Sequence, residues 1–189
     1  MSMKLSLDET IDQLKALERG LDYEQLAERL KLLPAELPLK HQAIVAFWRG
    51  KLAVLKGAYP EAIGDLAHSA ELAPSNAAGK YLLGTALVRC EQWLDAHRSL
   101  TSALALNPSL AAARLELAAV QLALNDPDGA LRQLEPLPDS AAGNLRGQLA
   151  RAAVRASDFT RAIQAAGMAL RQDSRLPETL LLEWLLFTG

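Results

Sequence analysis

Four pairs of like residues recur at a single offset. Pro74 and Pro108, Gly50 and Gly84, Ala62 and Ala96, and Leu66 and Leu100 each stand 34 residues apart. The same step carries Gly84 to Ala118, Ala96 to Ala130 and Leu100 to Leu134. Small residues, a mid-unit turn and a closing proline at this period specify a helix–turn–helix unit. One such unit cannot bury its apolar face alone, so neighbouring units must stack. Composition agrees with helix: Val and Ile together supply only nine of the 189 residues, five and four respectively, whereas Ala and Leu fill the chain. Strands usually draw on the β-branched residues that are scarce here.

The turns set the register. GAYPEA (57–62), CEQWLDA (90–96), LNDPDGA (124–130), ASDFTRA (156–162) and GLDYEQL (20–26) are variants of one junction. Tyr23, Tyr59, Trp93, Pro127 and Phe159 follow one another at 36, 34, 34 and 32 residues, so the period wavers at both ends. Gly50, Gly84, Ala118 and Ala150 fall midway along the first helix of units 2 to 5, and Ala62, Ala96, Ala130 and Ala162 near the start of the second. A β-carbon or less at both places lets the paired helices approach closely. The first unit departs from the pattern, with Leu26 in place of the alanine.

The unit resembles the tetratricopeptide repeat family, best in the middle of the chain. Leu83, Gly84 and Leu87 match the family's first helix, and Ala96, Leu100, Ala103 and Pro108 its second helix and exit. Lys80 stands where the family has an aromatic residue. The resemblance implies an all-α, right-handed superhelix of about five hairpins in a single domain, 1–189. The hairpins span roughly 5–38, 39–75, 76–109, 110–139 and 140–175, and a hydrophobic C-terminal helix covers 177–187. Pro136 and Pro138 should cut short the second helix of repeat 4. Repeat 5 ends on Ser174 instead of a proline.

Several functions find no support. With 20 basic and 22 acidic side chains, a net charge of −2 gives no bulk attraction to nucleic acid or anionic membrane. The apolar run Leu180 to Phe187, interrupted by Glu183, is far short of the ~20 residues of a membrane span. The N-terminal segment meets Asp8, Glu9 and Asp12 before any apolar run, unlike a secretory signal. These features point to a cytoplasmic protein, as does the single cysteine, Cys90, read as a half-buried filler. His41, His68 and His97 lie in three different repeats without partners at ligand spacing and read as solvated helix residues. No glycine-rich phosphate loop occurs, and the acids of SLDET and NDPDG read as helix caps. No catalytic residue, cofactor site or metal site is expected, and the chain is not read as an enzyme.

In proteins that this chain resembles, the first helix of each repeat lines a concave groove. The resemblance therefore implies a peptide-binding groove with Phe47, Trp48, Lys51, Tyr81, Arg89, Glu116, Arg151 and Arg155 on its surface. Phe47 and Tyr81 can equally be read as filling the core between repeats. The Lys/Asn/Arg clamp with which some family members hold a chaperone's C-terminal carboxylate is absent, with Ile44, Trp48, Ala78 and Leu82 at such places. A chaperone-tail adaptor is thereby disfavoured. The last helix places Leu181, Trp184, Leu185 and Phe187 on all sides, where a capping helix would show a polar outer face. It should pair with a second copy in a homodimer, or meet a further domain in a longer chain.

The reading is a non-enzymatic scaffold or adaptor that binds a protein or peptide segment. Two alternatives stay open: an N-terminal regulatory or substrate-presenting module of a bacterial transferase or hydroxylase, and a secretion chaperone.

Overall fold

A computed structural model describes residues 7–34 and 36–137 of the chain. The described residues form eight α-helices and no strand. They run as four antiparallel hairpins: α1 (Leu7–Arg19) with α2 (Tyr23–Lys31), α3 (Leu39–Leu55) with α4 (Tyr59–Leu72), α5 (Ala77–Arg89) with α6 (Trp93–Leu106), and α7 (Ala111–Ala123) with α8 (Pro127–Leu134). The fifth hairpin and C-terminal helix expected from the sequence lie outside the described residues. The eight residues of α8 are fewer than the 14 of α4 or α6, and the helix ends just ahead of Pro136.

The 34-residue period is written into the backbone at the turns. Leu21, Gly57, Glu91 and Asn125 hold left-handed φ angles of 59°, 75°, 58° and 61°. At each of them the first helix ends in the same pair of bonds. The left-handed residue donates its N–H to the carbonyl three residues back, on Glu18, Val54, Val88 and Leu122. The next residue donates five back, to Leu17, Ala53, Leu87 and Gln121. This is the Schellman closure, which satisfies carbonyls that the helix end would otherwise leave open. Asp22 and Asp126 then cap the following helix, accepting from the N–H groups of Gln25 at 3.1 Å and Gly129 at 2.9 Å.

Only one of the four turns uses glycine. A β-carbon in this region costs about 1–2 kcal/mol, and glycine gives back roughly 0.4–1 kcal/mol through the freer unfolded chain. Exposed Glu91, replaced by glycine, should therefore stabilise the protein by roughly 0.5–1 kcal/mol. Gly57→Ala should destabilise it by a similar amount. Thermal melting of the two variants checks the pair, and the same sign for both would sink the account.

Within a hairpin, small residues set the distance between helices. Gly50 and Gly84 lie against Leu66 and Leu100, and a β-carbon added to Gly84 would stand 2.6 Å from Leu100 Cγ. Ala62, Ala96 and Ala130 are fully buried at the opposite side of the crossing. In the first hairpin, Leu14 and Leu26 occupy the two equivalent positions, and α1 and α2 approach each other less closely. Their apolar faces are knit together from outside. Ile11, Leu14, Leu26 and Leu30 share one core with Val45, Trp48 and Leu52 of α3.

Trp48 is thus not a groove residue. It is 1% exposed and is among the largest fully buried side chains among the described residues. Positions 48, 82 and 116 are equivalent and belong to the seam between each first helix and its predecessor. Phe47, one residue earlier on the helix, is turned by about 100°. It keeps an open edge while packing on the cores either side of α3.

The histidine expectation is also corrected. His68 is exposed, but His41 is buried, with Nε2 2.7 Å from Asp8 Oδ1, joining the start of α3 to the start of α1.

Candidate functional site

The order of helix contacts places the groove. Each second helix packs on the next first helix, α2 on α3, α4 on α5 and α6 on α7. First helices also touch one another, α3 with α5 and α5 with α7, whereas the second helices do not approach each other to that degree. A stack that is tighter along one side curves toward it, so the first helices form the inner surface.

Three rows of equivalent positions run along that surface. Phe47, Tyr81 and Leu115 form one, Lys51, Thr85 and Ala119 the next, and Val54, Val88 and Leu122 the third. All nine are half-buried: each rests on the core and leaves an edge open. Tyr81 packs on the cluster built around Leu87 and Leu100, so both readings of the aromatics hold at once. Leu55 and Arg89 follow in register and are 58% and 53% exposed. Thr85 donates its hydroxyl to the Tyr81 carbonyl at 3.2 Å.

Charge enters at two points. Lys51 donates to Glu18 Oε1 at 2.6 Å and lies over the Tyr23 and Phe47 rings at 5.1 and 6.0 Å. Burial works against its ammonium group, but hydrogen bonds with Glu18 and Tyr23 outweigh that, and its pKa is raised. The cation is therefore fixed in place between hairpins 1 and 2. At the other seam, Arg89 Nη2 stands 3.9 Å from Glu116 Oε1. Burial pushes the Glu116 carboxyl above the usual carboxylate value, against a smaller downward pull from Arg89. Of the groove residues expected from sequence, Phe47, Lys51 and Tyr81 lie on these rows and Arg89 follows in register, whereas Glu116 sits at the seam position equivalent to that of the buried Trp48. Arg151 and Arg155 lie outside the described residues, as do Leu181, Trp184, Leu185 and Phe187 of the last helix.

A raised carboxyl pKa has a definite sign for stability. The native state favours protonated Glu116, so its contribution is full below the unfolded value near 4.5 and is lost as pH rises through the folded value. Glu116→Gln should raise stability at pH 7, and the advantage should shrink as pH falls below that value. Urea denaturation at pH 7 and pH 4 tests this. A less stable glutamine variant at pH 7 would show that Arg89 outweighs burial.

Among the described residues no three His, Cys, Asp or Glu side chains gather as a metal cluster would. None of the described helices is long and apolar enough to cross a membrane. Exposed Leu21, Leu32, Leu39 and Leu94 carry no sequence signal that sets them apart from buried leucines, and they are scattered over turns and helix starts.

A family model for the tetratricopeptide repeat matches residues 91–154. The same hairpin repeats from α1 to α8. The described residues therefore have a tetratricopeptide-type fold, and 91–154 match the family itself. The superhelix is similar to the crystal structure of YrrB, described as "a TPR protein with an unusual peptide-binding site". The TM-score is 0.73 at 20% identity, covering 93% of this chain and 90% of that one. A crystal structure of MamA is similar as well, with a TM-score of 0.68 at 19% identity over 89% of this chain and 95% of that one. At such identities the likeness concerns the fold. No curated protein matches the sequence. The tetratricopeptide fold is typically a protein-interaction module without catalysis of its own.

Proposed function

We propose that this protein is a non-enzymatic scaffold that holds a peptide or protein segment along its inner groove. The observation that carries the reading is the register of half-buried apolar side chains on α3, α5 and α7. Phe47, Tyr81 and Leu115, with Val54, Val88 and Leu122, present an interrupted apolar strip backed by packed helices. Rigid backing matters, because a preorganised surface loses little freedom on binding. Apolar side chains of a bound segment would sit on the strip, and its polar groups would meet Thr85 and the half-exposed Arg89. YrrB, the similar structure, has a peptide-binding site by its own description, which supports a peptide as the ligand here.

Peptides selected from a random displayed library against the full chain test this. Leu55→Glu and Arg89→Glu change exposed residues on the strip and should weaken selected peptides at least tenfold, Leu55→Glu with melting temperature little changed. Peptides that bind both variants as tightly as the parent would place recognition elsewhere.

A further inference from the structure

Arg49 breaks the repeat in a place where leucine is structural. Its equivalents at the 34-residue step are Leu83 and Leu117. Leu83 packs against the cluster of Ala62, Leu66 and Ala86, the first two on the second helix of the preceding hairpin, and Leu117 is buried in the cluster holding Ala96 and Leu100. Arg49 is exposed instead, and the junction between α2 and the second hairpin is left unfilled. A crevice of about 360 Å³ remains there, lined by Ala27, Leu30, Leu52, Ala53 and Ala58 with Lys31, Arg49 and Lys56 at its edge. That volume lies at the lower end of the ~300–1,000 Å³ range of ligand sites.

The charges all have one sign. Every charged residue lining the crevice is a cation. Nearby Glu28 engages Lys31 at 2.6 Å, and Asp65 lies with Arg49 along a second hollow on the other flank of the arginine. The wall is apolar, and the three cations at the edge outnumber the two carboxylates, Glu28 and Asp65, that interact with them. The crevice lies apart from the groove, whose strip is made by other faces of α3, α5 and α7.

We propose that this crevice is a second docking site, for a peptide segment with an aliphatic side chain flanked by carboxylates. The aliphatic group takes the volume that leucine fills in the later repeats. The carboxylates meet Lys56 and Arg49, the latter able to offer two parallel N–H donors.

The probe is a capped, fluorescent hexapeptide with two leucines flanked on each side by two acidic residues, titrated into the full chain at low salt. A counterpart with lysines replacing the acids serves as control. The acidic peptide should bind saturably, weaken as salt rises, and exceed the lysine peptide at least tenfold. Arg49→Leu restores the repeat's own leucine, so it should abolish binding while melting no lower than the parent. Lys56→Glu, at an exposed residue, should weaken binding at least tenfold without moving the melting temperature. Arg89→Glu should leave this binding intact, which separates the crevice from the groove. No saturable binding up to about 1 mM, equal binding of the lysine peptide, undiminished binding by Lys56→Glu, or loss through Arg89→Glu would each overturn the proposal.

Discussion

Trp48→Ala should detach the first hairpin from the stack. The indole is buried among Ile11, Leu14, Leu26, Leu30, Val45 and Leu52, and these residues come from three helices. Removing a large buried aromatic side chain costs about 3–5 kcal/mol, through lost transfer energy and the cavity left behind. The loss falls on a weak place. Leu14 and Leu26 keep α1 and α2 from the close crossing of the later hairpins, so hairpin 1 relies on its docking to α3. In a repeat stack each unit answers mainly to its neighbours, so the damage should stay local. Amide hydrogen exchange should show α1 and α2 losing protection while α5 to α7 keep theirs, with part of the helical circular dichroism lost on mild heating. Phe47→Ala, one residue away with its edge open, should cost less. Equal melting of Trp48→Ala and parent would mean that the indole is not core.

Why this tryptophan was misplaced by its sequence context is a matter of helix faces. α2 and α8 separate apolar from polar sides cleanly, whereas α3 and α5 do not sort them to opposite sides, because neighbours pack on both flanks. On such a helix the pattern does not reveal which apolar residue faces the groove and which the seam. The period alone does not resolve it, since Trp48, Leu82 and Glu116 share one position, and only the packed structure shows the glutamate desolvated at a seam. The crossings, by contrast, were legible: glycine stands at positions 50 and 84 and alanine at 118, and small residues stand out in a sequence. Left-handed turns were less so, because Leu21, Glu91 and Asn125 occupy a backbone region that glycine alone would have announced. Arg49 is the converse case. Its departure from Leu83 and Leu117 is plain in the sequence once the register is known, but the crevice it opens needed the packing of α2 to be seen.

Gly84→Ala should destabilise the protein by about 1–3 kcal/mol, and Gly84→Leu by more. Helix propensity alone argues the reverse, since alanine in a helix interior is favoured over glycine by about 1 kcal/mol. Contact decides the sign. The added β-carbon would stand 2.6 Å from Leu100 Cγ and 2.7 Å from its Cδ2. The nearer atom is the branching carbon of a fully buried side chain, so no free end can swing aside. α5 and α6 would have to move apart, opening the crossing on which the hairpin is built. Gly64 supplies the control within the same chain: it sits inside α4 with nothing within 4 Å of its would-be β-carbon. Gly64→Ala should therefore stabilise by about 1 kcal/mol. The decisive comparison is a double-mutant cycle. In a Leu100→Ala background, itself costing about 2–5 kcal/mol, the obstruction is gone and Gly84→Ala should turn from harmful to neutral or stabilising. A coupling of about 2–3 kcal/mol by urea denaturation is expected. Strict additivity of the two substitutions would show that Gly84 is small for some reason other than the close approach of its partner helix.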